Sequence, residues 1–156
     1  MMDIRDFETK ELINLGFDNV RNPFIKKMME KNEYNIKGEL TPMTVGFYIA
    51  PYINAIARIG TEEETLLLAE SMLEYRSYEQ IPSTKRGCKG QMEQRVEQAC
   101  RTASNVRNRQ NKLRDASSDF VDVLIKENNL LENKILFIKI PKDKQLDSNI
   151  TGLIGN

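Results

Sequence analysis

From Gln91 to Ile140 the chain runs fifty residues without a Gly or a Pro. Within that stretch Val96, Ala99, Ala103, Val106, Gln110, Leu113, Ser117, Phe120 and Leu124 recur alternately three and four apart, continuing from Met92. Such spacing lines one face of an α-helix. It predicts a helix over 91–128, about 57 Å long at about 1.5 Å per residue. Rods well beyond the usual three to four turns are normally coiled coils or connectors between domains. Two Ala, a Gln and a Ser occupy the seam, where strong zippers carry Leu, Ile or Val. The seam therefore favours a connector packed on its own chain, with a self-pairing coiled coil as the alternative.

The residues before this helix carry a series of start and stop signals. Asp6 caps a first helix to Leu15, with Gly16 as its C-terminal cap. Asn22-Pro23 and Thr41-Pro42 each place a capping side chain before a proline suited to the first helical position. Pro51 interrupts the second of these, which predicts a bend and a short helix over 50–60. Thr61 followed by Glu64 is a capping box opening a Leu-rich helix that ends near Tyr75–Tyr78. Residues 79–90 contain Pro82, Gly87 and Gly90 and read as a loop and hinge. After Asn128-Asn129, the apolar run Ile135–Ile140 reads as a strand closed by Pro141. Residues 150–156 read as the start of a further element. One strand cannot form a sheet, so partners outside this sequence are expected. The expected fold is mainly α: a helical subdomain over 1–78, the loop over 79–90, the long basic connector over 91–128, and over 129–156 the first strand of an incomplete α/β domain.

Composition narrows the chemistry. The chain has 156 residues, is 40% hydrophobic, contains no Trp and contains no His. Without histidine there can be no histidine general base, no histidine-dependent triad and no histidine-ligated metal. Cys88 and Cys100 lie twelve apart, with no CxxC, and read as two unlinked thiols. No run of about 18 apolar residues is present, and the charged N-terminus lacks a signal-peptide core; a cytoplasmic location is expected. The 23 Lys+Arg balance the 23 Asp+Glu, but unevenly along the chain. Six Glu against Arg76 fall between Gly60 and Gln80. Between Ser83 and Arg114 nine cations stand against Glu93 and Glu97. A basic stretch along a long helix suits a polyanion; the alternative is a solvated face whose charges pair with the acidic helix.

The segment Gly46-Phe47-Tyr48-Ile49-Ala50-Pro51-Tyr52-Ile53-Asn54-Ala55-Ile56-Ala57-Arg58-Ile59-Gly60 contains Asn54 and Arg58 at i and i+4, on one face of a short helix. Arg58 offers a planar fork to a phosphate, and Asn54 can bond backbone or sugar oxygens. Alternatively Arg58 pairs with Glu62, Glu63 or Glu64, and Asn54 caps the helix. The segment resembles a signature of the RecJ family of single-stranded-DNA exonucleases, roughly Gly-Phe-x-Ile-Gly-Pro-Arg-Ile-Asn-Ala-Ala-Gly-Arg-hydrophobic-Gly. Gly46, Phe47, Ile49, Pro51, Ile53, Asn54, Ala55, Arg58 and Gly60 fall in register. Ala50, Tyr52 and Ala57 depart from it, and Tyr52 replaces an arginine that would bind phosphate. The acidic helix, the long helix with Asn105, Arg109 and Gln110, and the C-terminal Ile135–Ile140 with Thr151–Gly155 are similar to the segments that follow in that family, the last being the opening of a DHHA1 domain.

Members of that family are DHH phosphoesterases that hydrolyse phosphodiesters with two divalent cations, usually Mn²⁺ or Mg²⁺, held by Asp and His of an N-terminal domain. The resemblance implies that this chain is an internal piece, starting just past the last metal-binding Asp motif and lacking the catalytic DHH domain. Asp3 and Asp6 lie near that junction, and helix capping is the expected use of Asp6. The implied partners are single-stranded DNA, the missing DHH domain and the remainder of the DHHA1 domain. Arg58 and Asn54 would bind DNA phosphate, and Arg95, Arg101, Arg107 and Arg109 would line a DNA channel or solvate the rod. No catalytic or metal-ligating residue is expected in this chain, which alone should not cleave DNA. The alternatives are a non-enzymatic helical protein that self-associates, and a segment of another DHH phosphoesterase acting on short oligonucleotides or cyclic dinucleotides.

Overall fold

The computed structural model describes residues 6–140, 149 and 151–154, and it is mainly α. The chain divides into two compact units, residues 1–106 and 107–156.

The first unit begins with α1 (Phe7–Asp18), α2 (Pro23–Lys31), α3 (Glu33–Ile36), α4 (Pro42–Tyr48) and α5 (Ala50–Ile59). It continues with α6 (Glu62–Ser71) and α7 (Glu74–Ser77). Most of the start signals act as expected. Asn22 Oδ1 accepts from the Ile25 N–H at 3.1 Å, with Pro23 in the first turn. Thr41 and Thr44 satisfy each other's backbone N–H at 3.1 and 2.8 Å. Thr61 Oγ1 accepts from Glu64 N at 3.2 Å, and Glu64 Oε2 from Thr61 N at 2.8 Å. Each reciprocal pair satisfies N–H groups that the helix itself cannot.

The first helix departs from expectation at both ends. Asp6 stands at its cap position, but its side chain makes no capping bond; an exposed helix end can be satisfied by water instead. The helix continues through Gly16 to Asp18, and Asn19 closes it by donating Nδ2 to Leu15 O at 2.9 Å. Later, the Leu-rich helix stops where Leu73 turns extended (φ −87°, ψ 119°), separating α6 from α7.

Residues 79–90 contain the first strand and the tip of a hairpin. β1 (Gln80–Pro82) pairs antiparallel with β2 (Met92–Gln94), in the register Gln80 to Gln94, Ile81 to Glu93 and Pro82 to Met92. Ser83 N–H donates to Gln91 O and Arg95 N–H to Glu79 O, both at 2.9 Å. The backbone from 91 to 95 is thereby engaged in a hairpin, and the long helix α8 starts at Arg95 rather than Gln91, ending at Glu127.

The core of the first unit forms where α8 meets the small helices. Val96, Ala99, Cys100, Ala103 and Val106 join Phe24, Met28, Ile49, Ala55, Ile56 and Leu68 in one buried cluster. The small seam residues thus pack against this chain's own helices. Phe24 and Met28 are fully buried, each a side chain whose burial contributes about 1.5–3 kcal/mol. Lys31 Nζ reinforces the contact, donating to Cys100 O at 3.3 Å and Ser104 Oγ at 2.6 Å.

The second unit holds the remainder of α8. Asn128 Nδ2 donates to Leu124 O at 2.8 Å, and Asn129 is left-handed at φ 50°, a conformation asparagine tolerates better than most residues. A 3-10 turn, Leu130–Glu132, follows. The strand expected at 135–140 does not form: these residues have no regular secondary structure, and Ile135 and Phe137 are each 81% exposed. No second strand pairs with them among the described residues, so an extended ladder has nothing to close on. Thr151–Ile154 forms a short helix, α9. Pro141 and the polar loop up to Ser148 lie outside the described residues, as do Ile150, Gly155 and Asn156.

Candidate nucleic-acid interface

Ile49 divides the signature segment. Gly46, Phe47 and Tyr48 end α4, Ile49 breaks the helix at φ −123°, ψ −56°, and α5 resumes with Pro51 in its first turn. Ala55 and Ile56 enter the core, and Tyr52 and Ile53 pack against it half-buried. This leaves Asn54 and Arg58 on the outer face of α5, both exposed. Four residues apart, they are neighbours on that face. Neither side chain has a hydrogen bond or ion pair among the described residues. Arg58 does not pair with Glu62, Glu63 or Glu64, and Asn54 lies inside the helix rather than at its cap. Tyr52, at the position where the RecJ-like pattern has arginine, is half-buried and packed against the core.

Gly60 closes the face. Its N–H donates to Ile56 O at 2.8 Å. A Cβ at this position would stand 2.5 Å from Ile56 O and 3.0 Å from Ile56 Cγ2. Its backbone is ordinary extended (φ −67°, ψ 148°), so close approach rather than unusual torsion requires glycine here.

The arginines of α8 are placed differently. Arg95 is only 12% exposed and lies between carboxylates. It contacts Glu70, donates Nη2 to Glu79 Oε2 at 2.6 Å, and donates Nε to Arg76 O at 3.3 Å. Arg76 completes the cluster with Glu70 at 2.5 Å. The hydrogen bond from Arg95 holds the Glu79 carboxyl below its usual range, with the nearby Arg76 charge adding to the effect. Arg101 forms a two-pronged pair with Glu93 at 2.5 and 2.6 Å and donates to Thr84 Oγ1 at 3.1 Å. That bond to Arg101 is the largest cause of the lowered Glu93 pKa. These pairings are the charge-neutralising alternative for a basic stretch. At roughly 100° per residue Arg95 and Arg101 lie about 120° apart around the helix, so they do not share a face. In the second unit Arg107 is half-buried and Arg109 exposed, each with an interaction of its own; two residues apart, they too diverge, by about 160°.

Three cations that contribute only charge to the sequence pattern stand out in the structure. Lys85, Arg86 and Lys89 are exposed at the tip of the hairpin, and none has a hydrogen bond or ion pair through its side chain among the described residues. The signal for them in the sequence is the pair Gly87 and Gly90, three residues apart and each directly after a basic residue.

No group of three or more Cys, Asp or Glu that could hold a metal occurs among the described residues. Asp6 is exposed and isolated from any such group, and Asp3 lies outside the described residues. The resemblance assigns Mn²⁺ or Mg²⁺ to an N-terminal DHH domain, and the described residues supply no donor set of their own for such an ion. Cys88 and Cys100 are both free. Burial pushes the Cys100 thiol up to about 12. An apolar cleft of about 460 Å³, lined by Ile13, Phe17, Val20, Ile25, Val45 and Ile49 among others, does not include Asn54 or Arg58. Among the described residues no helix is long and apolar enough to cross a membrane.

Comparison with known proteins finds similarity along nearly the whole chain. It is 32% identical over 155 residues to YorK of Bacillus subtilis (strain 168), provisionally named as an SPbeta prophage-derived single-strand DNA-specific exonuclease. The same identity and extent hold for yorK of Bacillus phage SPbeta, provisionally named as a single-strand DNA-specific exonuclease. The match covers 99% of this chain but 26% of each relative, so the chain spans about a quarter of their length. No family model and no solved structure matches it.

Proposed function

We propose that this chain is a segment of a RecJ-like, single-strand DNA-specific exonuclease of the DHH phosphoesterase type, where it binds the DNA backbone and links catalytic parts of the larger protein. The carrying observation is the outer face of α5. Arg58 and Asn54 stand side by side, exposed and without a partner among the described residues, within the segment that resembles the RecJ signature. A guanidinium with no carboxylate partner offers its donors to a phosphate, and the neighbouring amide can bond a sugar or phosphate oxygen. The match to two proteins named as single-strand DNA-specific exonucleases supports single-stranded DNA as the partner.

In this reading hydrolysis belongs to other parts of the larger protein, where Mn²⁺ or Mg²⁺ would clamp the attacking and leaving oxygens of the phosphodiester. The residues of this chain orient the strand by its backbone. The setting is the cytoplasm, in DNA repair or recombination, and the partners within the parent are its DHH domain and the rest of a DHHA1 domain. The burial of Val96, Ala99, Ala103 and Val106 in the chain's own core supports α8 as a connector over a self-pairing rod.

Arg58→Ala tests the role of the α5 face. Single-strand affinity, measured by fluorescence anisotropy across a salt series, should fall several-fold. The slope of log affinity against log salt should become shallower by about 0.7, the contribution of one phosphate on a single strand. Unchanged affinity and slope would remove Arg58 from the interface.

A further inference from the structure

The loop at the hairpin tip is built from two consecutive β-turns. Cys88 N–H donates to Lys85 O, and Gln91 N–H donates to Cys88 O, both at 3.0 Å. Gly87 and Gly90 occupy the third position of each turn with φ of 83° and 85°, the sign a type II turn requires there. The second position of each turn is a cation, Arg86 in one and Lys89 in the other, and Lys85 opens the first. Glycine supplies the left-handed backbone at both turns without steric cost, so the tip repeats one unit, a basic residue followed by glycine, at a spacing of three.

The base of this loop is anchored to α8. Gln98 donates its side-chain amide to Pro82 O at 3.1 Å and to Glu93 Oε1 at 2.7 Å, and Arg101 grips both Glu93 and Thr84. Glu93, the carboxylate on β2, is therefore occupied by Arg101 and does not neutralise the tip. Three like charges within five residues, left without counter-charges on a braced hairpin, create a local positive potential. The arginines inside the unit do the opposite: Arg95 and Arg101 are both matched by carboxylates.

We infer that the hairpin tip, through Lys85, Arg86 and Lys89, is a second contact for the phosphodiester backbone of single-stranded DNA, with Arg101 as the positioning residue that holds it. This rests on the reading of the chain as part of a single-strand nuclease. Contacts to phosphate position a strand without reading its sequence, so this site should bind all base compositions alike.

The test uses the full 156-residue chain and a labelled oligothymidylate of about 15 nucleotides, within the range of single-strand sites. Affinity is measured by anisotropy across a salt series, with circular dichroism as the check on folding. The triple variant Lys85→Ala, Arg86→Ala, Lys89→Ala should bind at least tenfold more weakly at low salt. Its salt slope should be shallower by about 2, three phosphates at about 0.7 each. A control triple, Lys10→Ala, Arg21→Ala, Lys26→Ala, removes the same charge from other exposed positions and should leave the slope unchanged. If the hairpin variant keeps its slope, or both triples lose it equally, the tip is not a contact and the nuclease reading still stands. If the unmodified chain shows no salt-dependent binding, the nuclease reading and the tip both fall.

Discussion

Glu70 accepts hydrogen bonds from the guanidinium groups of Arg76 and Arg95 at once, and around it the difference between a paired arginine and an unpaired one becomes visible. Arg95 and Arg58 are the same residue type on exposed-looking helices. One is 12% exposed and held by two carboxylates, while the other has no partner among the described residues. Glu93 makes a comparable pair with Arg101, and its lowered pKa gives that pair a pH signature. A depressed carboxylate contributes stability that is complete above its unfolded value, about 4.3. That stability is lost as pH falls through the lower folded value. Thermal unfolding of the unmodified chain should therefore become easier as pH drops below about 4.3, and Arg101→Ala should respond less steeply in that window. Equal slopes for the two proteins would mean the pair contributes nothing to stability. The thiols differ in the same way. Cys100 is buried and its pKa stands at about 12, so it is a neutral thiol near neutral pH and inert. In a native-state labelling time course with a thiol reagent, Cys88 should react and Cys100 should wait for denaturant; simultaneous labelling would contradict the packing of α8 against α2.

At the scale of elements, the turn from α5 to α6 rests on one missing methyl. Gly60→Ala keeps an allowed φ, yet its Cβ would meet the Ile56 carbonyl at 2.5 Å, and backbone has little room to yield. The substitution should cost about 1–3 kcal/mol, read as a lower midpoint in urea unfolding; a neutral Gly60→Ala would show that the helix end slides freely. The same turn shows which elements are legible from sequence. Thr61 with Glu64, Thr41 with Thr44 and Asn22 with Ile25 lie within three residues of each other, so the signal and the bond it forms are both local. The hairpin is not local: Gln80-Ile81-Pro82 and Met92-Glu93-Gln94 lack the alternation of a half-buried strand, and pairing across nine intervening residues defines them. Ile135–Ile140 fails in the opposite direction. Its residues suit a strand, but a strand exists only with a neighbour to accept its hydrogen bonds. The i, i+4 placement of Asn54 and Arg58 was readable from spacing; that Arg58 lacks an ion pair was not, because three nearby Glu made pairing equally reasonable. Likewise Arg95 and Arg101 stood in a basic stretch, and only the folded positions of Glu70, Glu79 and Glu93 reveal what holds them.

Across the whole molecule, α8 is a single run of helical hydrogen bonds with two surroundings. In the first unit Val96, Ala99, Ala103 and Val106 are at most 2% exposed. In the second, the seam residue Leu113 is 39% exposed, and the seam positions that are buried, Gln110 at 8% and Ser117 at 9%, are polar. Helix propagation alone gives little stability in water, and tertiary packing supplies most of it. The two stretches should therefore differ in how long their amide protons survive in deuterated solvent. Protection is expected to approach the global limit over Val96–Val106 and to fall by orders of magnitude toward Glu127, as locally opening segments do. Uniform protection along α8 would mean that its second half gains support beyond what its own seam provides. In the expected case the helix is continuous in space but not in time: one end is a fixed part of the core, and the other opens and closes many times in the life of each folded molecule.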